Sequence, residues 1–484
     1  MRDLNIATHN NTLLAHIMAD DEQPQPKMQW VAKTNKALED LPNPSVESAR
    51  WGKRSIYRIP ASVTDANSRA YKPQIVSLGP YHHGSRHLSE MEEHKRRALL
   101  HFLKRSSRPL QAYVDALAPV AQDLKDAYDR LGADWREDTD KFLELMVVDG
   151  CFVLEIVRVT VAATLTGGSD ALTSQMPVAY QAQVQPRAAV AGEYADNDPI
   201  FSKHGALYIV PHLMRDMLML ENQLPLLVLE KLVAVQNDIF IKERKDLIKD
   251  ILIFFQQDIS VTHQHKFNHC LHILDIYRKS LLLEEPQQKA GAVAPSDQGG
   301  EDIIRSATEL KEAGIRIKRS NSRSLKDITF RRGVLSLPHI VVDDALESLY
   351  LNLIAFERFH VGAGNDLTSY IFFMDNIIDS AMDVSLLHSC DIIQNALGSD
   401  KAVANLFNSL SKDITPDRGS YLGQVHKQVS KYCQKPWHQY RANLMHTYFT
   451  NPWAILSVIA AIFLFALTIV QTIYGVLSYV NPRA

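Results

Sequence analysis

Apolar positions along the chain fall into helical stripes for most of its length. Leu110, Val114, Leu117, Ala121, Leu124, Tyr128 and Leu131 recur by fours and threes, which puts them on one face of a helix. Pro119 sits inside this pattern and predicts a kink there. The run Phe142 to Val161 is apolar almost all round and predicts a central core helix. Further helices are expected over Glu90–Lys104, His212–Val235, Leu247–Asp258, Lys266–Leu283, Ser306–Ala313, Ala345–Phe359, Tyr370–Asp379, Ala402–Ser411 and Tyr421–Phe449. Ser89 and Glu92 have the spacing of a capping box for the first of these. Between helices, Ile315 to Lys318 alternates as a strand does, and Ile328–Phe330, Val334–Leu337 and Ile340–Val342 add further strand candidates. One small sheet over about 315–342 is therefore expected. The fold class expected is mainly α: a large helical body, that one sheet, and a separate C-terminal apolar helix.

The C-terminal pattern differs in kind. From Ala442 to Pro482 there is no Asp, Glu, Lys or Arg. Trp453 to Val470 reads WAILSVIAAIFLFALTIV, in which eleven of eighteen residues are Ile, Leu, Val or Phe. At about −0.4 kcal/mol each, these favour insertion into a bilayer by roughly 4 kcal/mol, with no charge opposing them. A transmembrane helix over about 452–476 is expected, carried by Trp453, Ile455, Leu456, Ile459, Phe463, Leu467 and Val470. Asn451 can cap it and Pro452 suits its first position. The competing reading is a buried core helix, but soluble helices of this length carry a polar face.

Turn-rich and polar stretches set the organisation. Residues 1–50, with QPQP and LPNP, predict a mobile tail, and 477–484 a short one. The body spans about 51–450, with insertions expected at 167–199, which lacks periodicity, and 284–301, EEPQQKAGAVAPSDQGGE. No secretory leader is visible, since Leu13 to Ala19 is short and runs into Asp20-Asp21-Glu22. A body on the cytosolic side is the expectation. Lys435 and Arg441 before the span, against Arg483 after it, lean the same way.

Composition narrows the function classes. The formal net charge is −3, and no basic stripe runs along the chain, which argues against nucleic acid as a partner. The four cysteines, Cys151, Cys270, Cys390 and Cys433, form no CxxC pair and read as free thiols in a reducing compartment. No GxxxxGK[ST], GxGxxG or GxSxG occurs, so no phosphate cradle or nucleophile elbow is expected, and no cofactor. The basic segment Arg316 to Arg332 reads as a solvated face, with acidic lipid or an acidic partner as the alternative.

Three clusters carry candidate chemistry. His82 and His83, with His87, His94, Glu90 and Glu92 nearby, supply imidazoles and carboxylates for metal binding or acid–base work. The competing reading is a structural turn set by Gly79-Pro80 and Gly84. His265, His269 and His272 stand at i, i+4 and i+7 on a predicted helix and would share a face, yet no HExxH pattern accompanies them. Asp149, Glu155, Asp216 and Glu221 interrupt strongly apolar helices. Buried carboxylates need partners, and an internal network with Arg158, Arg215 or backbone donors is the expectation here, with Asn222, Gln223 and Pro225 fitting it.

Several stretches, in order, resemble one plant family, the membrane-associated "domain of unknown function" family 247. They are Ile59-Pro60, Tyr71-Lys72-Pro73, VSLGPYHHG (76–84), MEEHKRRAL (91–99), MVVDGCFVLE (146–155), DMLMLENQLPLLVLE (216–230), SATELKEAGI (306–315), NLIAFER (352–358) and NPWAILSVIAA. The resemblance covers roughly residues 56–480. It implies a plant protein with a C-terminal membrane helix and no established enzymatic activity or cofactor. Some grass members are implicated as male determinants of self-incompatibility. The expectation is thus a membrane-anchored interaction protein that touches the bilayer through its last helix and binds an unidentified protein partner. The alternative is an enzyme or metal-binding protein using one of the histidine clusters. Recognition of a secreted ligand would require the body outside the cell, against the cytosolic expectation.

Overall fold

The computed structural model describes residues 29–65, 67–166, 193–236, 244–257, 266–283, 305–412, 414, 420–436, 440 and 452–480. The insertions expected at 167–199 and 284–301 therefore lie outside the described residues, except for 193–199. The chain divides into two compact units after Lys53.

In the first unit, residues expected to be a mobile tail form two helices, α1 (Gln29–Glu39) and α2 (Pro44–Gly52). The LPNP stretch is a helix start: Asn43 caps the first turn by accepting the Ser45 N–H at 3.4 Å, and Pro44 occupies the first helical position.

The second unit is built round α5 (Thr139–Thr166), the helix apolar all round. Helices packed against α5 include α3 (Ser89–Ser106), α4 (Leu110–Leu117), α6 (Leu226–Gln236) and the helix Arg244–Phe254. Gly150 permits the closest approach: a Cβ there would lie 2.5 Å from Leu232 Cδ1 and 3.0 Å from Val228 Cγ1. Buried apolar residues from Ile56 to Cys433 form one continuous cluster, so the body has a single core. Its second half contains α7 (Ile273–Leu281), α8 (Leu346–Phe359), α9 (Asp366–Ile377), α10 (Ala381–Ser389) and α11 (Asp400–Leu410).

Four expectations are corrected. The helix expected over 110–131 is broken, because Pro119 forces a 3₁₀ turn at Ala118–Val120 before a short helix resumes at Ala121. The Ser89/Glu92 capping box does not form: the Ser89 hydroxyl donates to the Arg86 carbonyl at 2.8 Å, and Glu92 accepts from Lys95. The helix expected over His212–Val235 is two helices, Val210–Met217 and α6, separated by a loop. The one sheet is two. Strands β1 (Arg316–Arg319), β2 (Thr329–Arg331) and β3 (Val334–Leu337) make a sheet of order β1-β3-β2, with β1 parallel and β2 antiparallel to β3. Pro338 lacks an N–H and ends that ladder. Strand β4 (Ile340–Val342) instead pairs in parallel with β5 (Ile393–Asn395).

The last helix, α12 (Pro452–Val480), spans 29 residues. Leu456–Leu477 has a mean hydropathy of 2.4, and none of its most apolar window is buried. It is long and apolar enough to cross a membrane.

Candidate functional site

The family stretches around residues 76–84, 91–99, 146–155 and 216–230 converge on one polar junction inside the body. Residues 74–79 belong to no strand, so their N–H groups need partners elsewhere. Side chains supply them. Asp216, fully buried, accepts the N–H groups of Gln74 at 2.9 Å, Ile75 at 2.8 Å and Val76 at 3.1 Å. Asn222 Oδ1 accepts from Leu78 at 2.7 Å, and its amide donates to the Val76 and Asp216 carbonyls. Asp149 Oδ2 accepts from Gly79 at 2.8 Å. Gly79 takes φ +70°, and a Cβ on it would lie 2.8 Å from Tyr128 Oη and 3.0 Å from the Gln223 carbonyl, so only glycine fits.

The loop between Met217 and Leu226 is held in the same way. Gln223 donates to the carbonyls of Met217 and Met219 and accepts from the Leu274 N–H. Asn352 accepts from Leu220 and donates to Ala70. These side chains replace helical hydrogen bonds, and Pro225 could not continue a helix through this point, which accounts for the break.

Charge in the junction is paired. Lys95 is completely buried on α3, and its ammonium bridges Asp149 at 2.8 Å and Glu92 at 2.7 Å. Burial disfavours that ammonium, but Asp149 and Glu92 outweigh the penalty and hold its pKa above the ordinary lysine value. Deeper along α5, Glu155 accepts both Arg105 guanidinium nitrogens, at 2.9 and 2.7 Å, together with Arg158 at 2.6 Å and the Tyr194 hydroxyl at 2.9 Å. Burial pushes this carboxyl up, yet the two arginines more than reverse it, leaving the pKa lowered. Glu221 Oε1 accepts the Ile59 N–H at 2.6 Å, and its Oε2 lies 3.4 Å from His82 Nε2. The carboxylates thus form the expected internal network. Backbone donors are part of it, as expected, whereas Lys95 is a partner that the sequence reading did not name.

The histidines do not assemble. His82 faces Glu221, whereas His83 is exposed and meets Trp135 edge-on at 5.4 Å. His87 bonds the Pro73 carbonyl and His94 bonds Arg97. The helical trio is corrected too. His265 lies outside the described residues, His269 is exposed in a turn, and the helix begins only at Ile273. His272 is its cap: Nδ1 accepts the Asp275 N–H at 3.2 Å, and Nε2 bonds the Ser55 carbonyl at 3.1 Å. Both ring nitrogens are engaged in the neutral form, so neither is available to a metal. Among the described residues no group of three or more His, Cys, Asp or Glu could hold a metal ion. All four cysteines are free thiols.

Burial holds the His272 pKa down at about 4, against 6.5 for the free side chain. The unfolded chain therefore takes up this proton first as pH falls. Stability from neutral His272 is present above pH 6.5 and is lost between 6.5 and about 4. The full loss is about 3 kcal/mol. His272→Asn is expected to flatten the decline of the urea midpoint across this window; an unchanged slope would contradict the assignment.

Taken together, the fold and junction define a helical body stapled by buried charge and ending in an exposed apolar helix. Residues 56–467 match the family DUF247, described as plant protein of unknown function, and the chain belongs to that family. It is 30% identical over 461 residues to the UPF0481 protein At3g47200 of Arabidopsis thaliana, covering 90% of this chain and 89% of the relative. It is 22% identical to the putative UPF0481 protein At3g02645 of the same plant, covering 91% and 93%. No solved structure matches.

Proposed function

We propose that this protein is a membrane-anchored interaction protein, with α12 in the bilayer and the body on the cytosolic face. The observation carrying the anchor is the bare apolar surface of α12. Leu456, Ile459, Phe463, Leu467 and Val470 are 45–63% exposed, with no element among the described residues covering them. The side chains of Trp453 and Ile455 lie outside the described residues. Apolar surface on this scale is unfavourable in water, and hydrocarbon removes that cost. The orientation is supported by Lys435 and Arg441 on the body side of the helix against Arg483 beyond it.

The network of Asp149, Glu155, Asp216 and Glu221 supports an interaction role over an enzymatic one. These carboxylates are engaged by backbone amides and cations, which leaves them poorly placed to move protons. The partner in this reading is a protein, not a nucleic acid, and no cofactor takes part. A role in grass-type self-incompatibility is its sharpest form and requires the opposite orientation. Protease digestion of sealed, outward-facing microsomes separates the two. The cytosolic reading expects the body to be degraded without detergent; full protection would overturn it and favour recognition of a secreted ligand.

A second reading, an enzyme of another class, rests on the His82–Glu221 pair at 3.4 Å, whose side chains are 16% and 14% exposed. The first reading expects His82→Ala to leave partner binding intact.

A further inference from the structure

A cavity of about 440 Å³ opens where the residue 76–84 turn meets the start of α3. Its volume lies within the about 300–1,000 Å³ usual for small-molecule sites. The walls include Ser77, His83, Leu88, Glu92, Glu93 and Arg96. Two of the stretches that carry the family resemblance therefore line one space, which the anchored-interaction reading does not use.

Ser77 is 1% exposed, and its hydroxyl has no hydrogen-bond partner. A buried hydroxyl left in this state costs about 1–3 kcal/mol, which a ligand donor reaching it recovers. Glu92 gives Oε1 to Lys95 and leaves Oε2 without a protein partner among the described residues. Glu93 is exposed and makes no ion pair among those residues. Lys95 offers one ammonium to two carboxylates, Glu92 and Asp149, so this wall has more acceptors than donors. Arg96, exposed and without an ion-pair partner among the described residues, provides a single cation beside them.

We propose that this cavity binds an aliphatic ammonium group, which donates to Glu92, Glu93 and the Ser77 hydroxyl. A primary ammonium carries three donors in a compact head, matching three acceptors of this kind. A metal ion is a poorer occupant, since no group of three metal-ligating side chains exists among the described residues. The ammonium has two chemical sources, a free amino acid or the lysine side chain of a peptide. Arg96 distinguishes them, because only the free amino acid brings a carboxylate for the guanidinium to pair with.

Isothermal titration of the full chain in detergent with L-lysine, and with Nα-acetyl-lysine methylamide, tests the proposal. Binding is expected for at least one probe. Ser77→Ala, which removes no protein hydrogen bond, is expected to weaken it about fivefold to tenfold. Glu93→Gln, at an exposed position, keeps the fold and should weaken it by a similar factor. Tighter binding of free lysine, with the difference abolished in Arg96→Gln, assigns a free amino acid; equal binding of both probes assigns a peptide lysine. The proposal is overturned if neither probe binds at about 10 mM, or if affinity is unchanged in both variants. It is equally overturned if calcium chloride alone binds in a Glu93-dependent way and excludes the amines.

Discussion

Replacing Lys95 with methionine is expected to destabilise the body by about 3–5 kcal/mol, read as a fall in the urea midpoint. Methionine nearly matches the volume of the lysine stem, so packing changes little. What changes is charge. Asp149 is fully buried, and without the ammonium it keeps only the Gly79 N–H as a partner. An uncompensated carboxylate at zero exposure is among the costliest states a core residue can take. The paired variant Lys95→Met/Asp149→Leu removes both charges. It should recover most of the loss, with a remainder of about 1–3 kcal/mol for the orphaned Gly79 N–H. A single Lys95→Met that costs under about 1 kcal/mol would mean the pair is not the staple described here.

Asp216→Ala is expected to cost at least about 3 kcal/mol, because three backbone N–H groups lose their acceptor at once. Gln74, Ile75 and Val76 lie 140 or more residues away in sequence, so the carboxylate ties the start of the body to its middle. Asp216→Asn keeps one oxygen and should fall between alanine and wild type. Hydrogen exchange reports this locally: the amides of residues 74–76 should exchange faster in Asp216→Ala, while those in the middle of α5 change far less. Unaltered protection at 74–76 would contradict the assignment.

These two residues also show how far the sequence could be read. Asp149, Glu155, Asp216 and Glu221 stand out because each interrupts an apolar run, and buried charge needs a partner. The partners of Asp149 and Asp216 include backbone amides, which leave no trace in residue identity. Lys95 was readable in principle. The buried positions of its helix are Met91, Lys95, Ala98 and Phe102, and a lysine on that four-three-four stripe signals an internal ion pair. Ser77 carried no signal, since an unpaired hydroxyl is a property of the packed structure.

Helices α5 and α12 were legible because a helix apolar all round must be enclosed, either by protein or by lipid. Boundaries were less so wherever side chains compete with the backbone. The His265, His269 and His272 spacing suits a helix, but His272 takes the Asp275 amide of the first turn for its own ring and the helix starts after it. Strand β4 looked continuous with its neighbours, yet Pro338 ended one ladder and the partner, β5, lies 53 residues downstream of Ile340 at Ile393.

Membrane insertion of α12 is tested most directly by alkaline carbonate extraction of membranes carrying the full chain, beside the double variant Phe463→Arg/Leu467→Arg. Each arginine at the helix centre opposes insertion by about 2.5–3.5 kcal/mol, enough in pairs to exceed the apolar gain of roughly 4 kcal/mol. The anchored account predicts that the native chain stays in the membrane pellet and the double variant is released. Release of the native chain into the alkaline supernatant would contradict it.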